Sequence, residues 1–426
     1  MENHIFLLIL LFLVQYYSVS GSASSSNETD QQALLVFKDL VTSPSHFLAN
    51  NWTKNTSFCS WFGVTCSPKS MLNLQNNSFH GGIPYGLGHL PRLRVIDVGN
   101  NQPQGSIPTS LFQHRRVQVI SLAFNKLGGE MWKGPWFVPE LRVLNLRNNS
   151  LTGIIPPSIG NATKLMNFSL AGNRISGNLP KEISNMSQLA FLSLIDNQLT
   201  GNIVSNLEVL SISYNQISDH IPSNICQLTE LKILSISFNN IIGDIPRNIG
   251  CLSKLEEFYI GHNPIKGTIP ASLGNISTLQ NLYCALNYLE GPIPPELAKL
   301  SNLWEINFFQ NKLIGQIPEA IFNISSLKNI GFNLNNLPGR IPTTTGLHLP
   351  NLVYLVLGGN QLEGEIPLFI TNASKLEILD LAGNFLTGTI PTNLGNLHEL
   401  QRLLLHSNQL TNEPREHELR FLNSLV

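Results

Sequence analysis

Charged side chains are scarce in this chain of 426 residues, because Asp, Glu, Lys and Arg together make up only 12% of it, about half the usual share. The two signs nearly cancel, with 26 Lys and Arg against 27 Asp and Glu. A polyanionic partner calls for a basic face, so this balance argues against a nucleic-acid-binding protein. The water-facing surface must therefore consist largely of Asn, Ser, Thr and Gln.

The motifs of the common catalytic chemistries are also missing. The sequence contains no Gly-x-Ser-x-Gly, no phosphate-binding Gly-x-x-x-x-Gly-Lys and no kinase glycine loop. His398-Glu399 and His406 have the wrong spacing for a zinc-binding helix. We therefore predict that this chain is not an enzyme and has no catalytic residue, cofactor or metal site.

Long apolar runs are absent as well. The apolar run from Ile5 to Val14 is too short to span a bilayer, which needs roughly 20 residues, and small residues follow it around Gly21. This pattern is typical of a secretory signal peptide, assigned to residues 1–23, and no later segment predicts a membrane span. A secreted chain can be N-glycosylated, and we expect most of its eleven Asn-x-Ser/Thr sequons to carry glycan: Asn27, Asn51, Asn55, Asn76, Asn148, Asn161, Asn167, Asn185, Asn275, Asn323 and Asn372.

What the sequence has in abundance is one repeated unit, represented by Leu376–Pro391. Leu379 and Leu381 alternate with polar or small residues, as in a strand with one buried face, whereas Asn384 and Gly388 mark turns. Nearly all steps are 24 residues, a period within the range of leucine-rich-repeat solenoids. The repeat asparagine occurs fifteen times, at Asn77, Asn101, Asn125, Asn149, Asn173, Asn197, Asn215, Asn239, Asn263, Asn287, Asn311, Asn335, Asn360, Asn384 and Asn408.

The repeat predicts an elongated α/β leucine-rich-repeat solenoid, since such a fold grows by adding coils and does not enlarge a single core. A short parallel β-sheet is expected on the concave face, with a 3₁₀, short helical or irregular convex side. The repeat asparagine is interpreted as a buried amide that bonds the backbone of adjacent coils, because a buried donor without a partner is costly. About fifteen repeats of 24 residues occupy residues 71–411.

Residues 24–70 are interpreted as an atypical unit that covers the first apolar edge of the solenoid. Asp30–Val41 has apolar residues at helical spacing, which predicts a helix. Cys59 and Cys66 lie seven residues apart, which in a secreted chain favours a local disulfide. The region is therefore expected to be a helical, disulfide-bonded N-terminal cap.

The remaining cysteines lie inside the repeats. Cys226 and Cys251 occupy nearly the same convex position in successive coils, where a disulfide and two free thiols are equally compatible with the spacing. Cys284 takes the place of a core leucine and is expected to be an inert apolar side chain.

Two motifs resemble those of plant extracellular leucine-rich-repeat proteins: the cap sequence Trp61-Phe-Gly-Val-Thr-Cys66 and the recurring Leu-x-Gly-x-Ile-Pro, as in Leu151–Pro156. The stretch Glu418–Leu425 is similar to one in plant receptor-like kinases with long ectodomains, a group that includes immune receptors. The resemblance implies the front part of the ectodomain of a Ser/Thr kinase, with residues 412–426 as an irregular tail. It also implies a location outside the cell or on the outer side of the plasma membrane, in defence or developmental signalling, and a second leucine-rich-repeat ectodomain as co-receptor.

Two alternatives to a receptor ectodomain stay open. The first is a secreted inhibitor or decoy of microbial cell-wall-degrading enzymes, although its plant examples have about ten repeats and a closed C-terminal cap. The second is a truncated receptor-kinase fragment without a function of its own.

The outward strand positions of the ninth to eleventh repeats differ from the rest. Elsewhere a strip of small polar residues is expected, whereas these repeats carry aromatic residues with a polar fringe, as an interface core favours. We predict that the ligand, a peptide or protein, contacts Glu257, Tyr259, His262, Tyr283, Trp304, Glu305, Phe309 and Gln310. The alternative is that the aromatic residues merely pack on one another along the sheet.

Overall fold

A computed structural model describes residues 70–131, 133–200 and 207–412, together with residues 34, 35, 38, 41, 42, 52–56, 60, 61 and 64–66. The chain forms two compact units, Met1–Asn167 and Phe168–Val426, and each is described by itself. The predicted signal peptide, Cys59 and the tail after residue 412 lie outside the described residues. Within the described part, no helix combines the length and apolar character needed to cross a bilayer.

The first unit is a stack of coils with a main sheet along one side. The main-sheet strands are Val64–Cys66, Ser70–Asn73, Leu93–Asp97, Val119–Ser121 and Val143–Asn145. All of these pairs are parallel except the first, which is antiparallel. A second row, the lateral strands, is formed by Val41–Thr42, His80–Gly81, Gln102–Gly105, Lys126–Glu130 and Ser150–Thr152. The 3₁₀ helices are Tyr85–His89, Thr109–Gln113 and Pro157–Asn161, and a further strand, Asn167–Ser169, lies at the division between the units.

The second unit repeats the same coil. Its main-sheet strands are Phe191–Ser193, Val209–Ser211, Ile233–Ser235, Glu257–Tyr259, Asn281–Tyr283, Glu305–Asn307, Asn329–Gly331, Tyr354–Val356, Ile378–Asp380 and Arg402–Leu404, all parallel. The lateral strands are Ser176–Asn178, Gln198–Thr200, Ser218–His220, Asn240–Ile242, Lys266–Thr268, Tyr288–Gly291, Lys312–Leu313, Pro338–Arg340, Gln361–Glu365 and Phe385–Thr387. The 3₁₀ helices are Lys181–Asn185, Ser223–Gln227, Ile249–Cys251, Ala271–Asn275, Pro295–Lys299, Glu319–Asn323, Leu368–Asn372 and Thr392–Asn396.

The core of the second unit follows the alternation of the strand sequence. Phe258, Leu282 and Ile306 are opposite one another on three adjacent strands, and none of the three side chains is exposed to solvent. Because successive strand residues point to opposite faces, their neighbours on either side lie on the outer face of the main sheet. The predicted solenoid with a short parallel sheet is confirmed, and its non-sheet side is built from 3₁₀ turns.

The repeat asparagines form the predicted ladder. The side-chain nitrogen of Asn311 donates hydrogen bonds to the carbonyl oxygen of Cys284 in the preceding coil (3.0 Å) and to that of Phe308 in its own coil (3.1 Å). Its side-chain oxygen accepts a hydrogen bond from the backbone nitrogen of Leu289 (3.0 Å). The amide thus joins two coils at each step, and the same contacts recur at Asn239, Asn263, Asn287, Asn335, Asn360 and Asn384.

The glycine of the Leu-x-Gly-x-Ile-Pro motif has two physical reasons to be glycine. Gly243 and Gly267 have φ angles of 76° and 74°, a left-handed conformation that costs glycine little. A Cβ atom on Gly243 would also overlap the ring of His220, and one on Gly267 would meet the carboxylate of Asp244. In each case the side chain just before Ile-Pro in one coil lies over the glycine of the next coil, which lets the lateral strands approach closely.

The structure distinguishes between the alternatives left open for the repeat cysteines. Cys226 and Cys251 form a disulfide with their Cα atoms 5.5 Å apart. The bridge ties the helix Ser223–Gln227 to the helix Ile249–Cys251 of the next coil. Cys284 is a free, fully buried thiol in the core, as predicted, and burial raises its pKa.

Only part of the predicted cap falls within the described residues. Trp52 and Trp61 are buried, and their rings stack with centroids 5.3 Å apart. The side-chain nitrogen of Lys38 donates a hydrogen bond to the carbonyl oxygen of Trp52 at 2.8 Å. The predicted Cys59–Cys66 disulfide stays a prediction because Cys59 lies outside the described residues.

The sequons are positioned for modification at nearly all described sites. Asn167 is half-buried on a strand, whereas the other eight described sequon asparagines are exposed: Asn55, Asn76, Asn148, Asn161, Asn185, Asn275, Asn323 and Asn372. Exposure is a requirement for an attached glycan, so glycosylation at these eight positions stays a prediction compatible with the fold.

Candidate ligand-binding surface

Three adjacent main-sheet strands bring most of the predicted ligand-binding residues together. The strands Glu257–Tyr259, Asn281–Tyr283 and Glu305–Asn307 pair in register without a bulge. Two rows of outward side chains result, one of Glu257, Asn281 and Glu305 and the other of Tyr259, Tyr283 and Asn307. We call these six residues, with Trp304 and Phe309, the acidic–aromatic patch.

The two tyrosines of the patch lie side by side, as the repeat spacing predicts. Their ring centroids are 6.3 Å apart and the rings are tilted by 48°. The ring of Tyr283 lies against Gly261, where a Cβ atom would overlap it. The small residue at position 261 therefore makes room for the half-buried Tyr283 ring.

Tyr259 is buried and not exposed, and its predicted role as a ligand contact stays a prediction. Only 7% of Tyr259 is exposed, and its ring lies beside that of Tyr283. Burial raises the pKa of the Tyr259 hydroxyl, and the negative charges of Glu257 and Glu305, with a hydrogen bond to Glu257, act in the same direction. Tyr259 is thus the most deeply buried aromatic residue of the patch, an arrangement that the packing of aromatic residues along the sheet also predicts.

The carboxylates of the patch are electrostatically unfavourable neighbours. Partial burial raises the pKa of Glu305 above its usual value of 4.5, and the charge of Glu257 raises it further. The pKa of Tyr283 is raised as well, first by burial and then by Glu305. Burial and the mutual repulsion of Glu257 and Glu305 therefore both disfavour the charged form of Glu305.

The other predicted residues surround this centre. Trp304 and Phe309 are half-buried and Gln310 is exposed. The side-chain nitrogen of Lys328 lies 5.8 Å from the ring centroid of Trp304, within the range of a cation–π interaction. The Lys328 amine therefore lies over an aromatic ring of the patch.

His262 belongs to a different cluster, which the sequence reasoning missed. Its ring stacks on Phe238 with a centroid distance of 3.8 Å, and Phe238 stacks on Tyr214 at 4.1 Å. All three residues precede a repeat asparagine and have left-handed φ angles of 53° to 57°. The signal was present in the sequence as aromatic residues recurring every 24 positions directly before the asparagine.

A second concave feature lies on the lateral strands, away from the patch. It is an open groove of about 950 Å³ whose lining includes Arg340, Glu363, Glu365, Leu368 and Phe369. Its side chains carry both signs of charge. In the described part of the chain, no group of three or more His, Cys, Asp and Glu side chains is arranged to hold a metal ion.

Comparisons with known proteins agree with this architecture. Residues 27–67 match the leucine rich repeat N-terminal domain. Leucine-rich-repeat families match residues 139–199, 205–250, 254–276, 351–373 and 375–397.

Among curated proteins, the chain is similar to Phytosulfokine receptor 1 of Arabidopsis thaliana, with 31% identity over 140 residues, covering 30% of this chain and 14% of that protein. It is also similar to the LRR receptor-like serine/threonine-protein kinase EFR of the same plant, with 33% identity over 113 residues, covering 25% of this chain and 11% of that protein. The matched segments thus span a small part of these relatives.

Among solved structures, the TDR receptor has a TM-score of 0.76 at 28% identity, covering 79% of this chain and 59% of that one. The Arabidopsis receptor kinase HAESA, in complex with an IDA peptide hormone ligand, has a TM-score of 0.64 at 25% identity, covering 93% of this chain and 84% of that one. The chain is therefore a leucine-rich-repeat protein with the N-terminal domain and repeats of plant receptor-kinase ectodomains.

Proposed function

We propose that this chain is an extracellular recognition module that binds a peptide or protein ligand on the outer face of its main sheet, at the acidic–aromatic patch. The observation that carries the proposal is the cluster of half-buried Tyr283, Trp304, Phe309 and Glu305 on adjacent strands of one unit. Aromatic residues with a polar fringe, held on a rigid frame, are what interface cores favour.

The similarity to HAESA, which was solved with a peptide hormone, supports a peptide as the ligand class. The same similarity supports a place outside the plant cell, and a second leucine-rich-repeat ectodomain as co-receptor is part of the proposal. The action we propose for the chain is binding without a chemical reaction. Fold alone does not establish function, so the proposal rests on the patch.

The test is selection of binders from a random peptide library on the secreted full chain. The enriched peptides are then measured against Tyr283→Ala and Trp304→Ala, with Tyr354→Ala as the matched control. Tyr354 is an exposed tyrosine on the same sheet face but outside the patch.

We expect the two patch variants to weaken peptide binding about tenfold or more, as truncation of an aromatic anchor does, and the control to change it less than about twofold. Melting curves of all three variants establish that each is folded. Equal losses in patch and control variants, or enriched peptides that no patch variant affects, would contradict the proposed surface.

A further inference from the structure

The row of Glu257, Asn281 and Glu305 places an amide between two carboxylates. Glu257 is directly opposite Asn281 in the pairing register, and Asn281 is directly opposite Glu305. Neighbouring strands lie about 4.8 Å apart, so the backbones that carry the two carboxylates are separated by roughly 9.6 Å. All three side chains leave the same face of the sheet.

The side-chain oxygen of Asn281, in the middle of this row, lacks a hydrogen-bond donor among the described residues. Asn281 is only 2% exposed, and its side-chain oxygen has no hydrogen-bond partner among the described residues. An unsatisfied buried acceptor is unfavourable, and such groups in native proteins are exceptional. Asn281 therefore offers an acceptor to a donor that enters between the two carboxylates.

The carboxylate of Glu305 differs in its ion pairing from other carboxylates near the main sheet. Glu208, directly before the strand Val209–Ser211, has its carboxylate 3.2 Å from the amine of Lys232. None of the ion pairs found in the described part of the chain includes Glu305. Partial burial and the negative charge of the neighbouring Glu257 raise the pKa of Glu305, because both disfavour its charged form.

The aromatic ring of Tyr283 lies beside the row. Tyr283 follows Asn281 on the same strand with its ring half-buried and resting on Gly261. A planar cation can stack on such a ring while its edges donate hydrogen bonds. The row thus combines two negative acceptors, one neutral acceptor and one aromatic face.

We propose that Glu257, Asn281 and Glu305, beside Tyr283, form a binding site for the guanidinium group of an arginine side chain in the peptide ligand. This inference rests on the proposed function and names the chemical group that the patch recognises. Guanidinium carries five N–H donors in one plane, so it can donate hydrogen bonds to the carboxylates on both sides and to the amide oxygen between them. A single metal ion binds oxygens at about 2.3–2.6 Å and fits a row this wide less well. A lysine ammonium is a compact point charge that lacks the two-sided geometry.

The first measurement uses L-argininamide as the probe and citrullinamide as its neutral analogue, at matched ionic strength. At about ten times its Kd, argininamide is expected to raise the melting temperature of the full chain by about 1–3 °C. Citrullinamide and the Glu257→Gln/Glu305→Gln double variant should give no shift. Glu377→Gln is the matched control because Glu377 is a half-buried glutamate beside the strand Ile378–Asp380 of the same main sheet, and it should keep the full shift. Equal shifts with the two amides, or an undiminished shift in the double variant, would overturn the inference.

The second measurement separates this inference from the proposed function. In peptides selected on the full chain, replacing arginine by citrulline should cost about tenfold in affinity, and the penalty should shrink to less than about twofold in Glu305→Gln. Peptides that depend on Trp304 but show no arginine requirement would refute the guanidinium site and leave the ligand surface intact. A shift with argininamide in a chain that selects no peptide would support the site and count against the proposed function.

Discussion

Two stretches of the main-sheet face share one backbone and differ in the side chains at the outward positions. In the coils that contain Asn197, Asn215 and Asn239, these positions carry five serines, which we call the serine strip: Ser193, Ser211, Ser213, Ser235 and Ser237. All of them except Ser235 are buried. In the next three coils the corresponding positions form the acidic–aromatic patch. Strand pairing runs in register from one stretch into the other. The difference teaches that the repeat fixes where side chains point, whereas the individual residues decide whether the surface is bland or suited to recognition.

The largest expected change in the free energy of unfolding comes from the buried leucines that both stretches share. Leu282 lies beneath the patch and Leu210 beneath the serine strip, and neither side chain is exposed. Leu→Ala at a buried site typically costs 2–5 kcal/mol, so we expect about 3 kcal/mol for each variant. Urea unfolding monitored by circular dichroism measures both. A cost at Leu282 that is more than about 2 kcal/mol larger than the cost at Leu210 would mean that the patch also stabilises the fold.

The asparagine ladder should give the next largest effect. Asn287→Ala removes hydrogen bonds to the carbonyl oxygens of Ile260 and Cys284 and from the backbone nitrogen of Ile265. Buried groups left without partners cost about 1–3 kcal/mol, so we expect a loss of about 2 kcal/mol. Asn239→Ala, beside the serine strip, should lose a similar amount in the same unfolding experiment. A neutral Asn287→Ala would show that water replaces the amide and that the ladder contributes little.

A smaller effect, on the position of the Tyr283 ring, distinguishes the acidic–aromatic patch from the serine strip. Gly261→Ala places a methyl group where the Tyr283 ring lies, whereas Ser237→Ala changes the matching position of the previous coil to a residue of similar size. We expect Gly261→Ala to displace the ring, alter the near-ultraviolet circular dichroism and weaken selected peptides about tenfold, equivalent to 1.4 kcal/mol. Ser237→Ala should leave both signals unchanged. An unaltered tyrosine signal in Gly261→Ala would show that the ring is free to move aside.

The smallest effect concerns pH. The pKa of Glu305 is raised in the folded chain, so the folded state binds this proton more tightly than the unfolded state does. Ionisation of Glu305 therefore opposes folding above the raised pKa, and its contribution to stability improves as pH falls through that value. Because Glu305 is partly exposed, the effect on the free energy of unfolding should stay below about 1 kcal/mol. Glu305→Gln should be slightly more stable than wild type at pH 7, whereas Glu377→Gln should not.

The same titration predicts a pH dependence of ligand binding with the opposite sense. The titratable groups that interact with Glu305 include Glu257, Tyr259 and Tyr283. The pKa values of both tyrosines are raised, so neither tyrosine loses its proton below pH 7. Argininamide affinity should therefore fall as Glu305 becomes protonated, beginning above pH 4.5, the usual pKa of a glutamate. An affinity that is constant from pH 7 to pH 4.5 would contradict a role for this carboxylate.

Much of the fold could be read from the sequence because each repeat position has one physical task. The strand alternation, the asparagine ladder and the proximity of Tyr259 and Tyr283 all follow from a period of 24 residues and a strand spacing of about 4.8 Å. The candidate surface was less predictable. Outward direction does not establish exposure, and the sequence alone could not reveal that Tyr259 is buried. The stacking of His262 on Phe238 does have a signal in the sequence, the recurrence of aromatic residues every 24 positions, which our interpretation missed.

The sequence by itself determined the coil, its period, its core leucines and its buried asparagines, because these depend on local alternation and on bonds repeated at every step. Only the tertiary structure decided how side chains from different coils meet. It paired Cys226 with Cys251, placed Tyr283 over Gly261 and left the side-chain oxygen of Asn281, which lies between two carboxylates, without a donor among the described residues. These outcomes depend on side-chain directions and distances between coils, which a one-dimensional pattern does not contain.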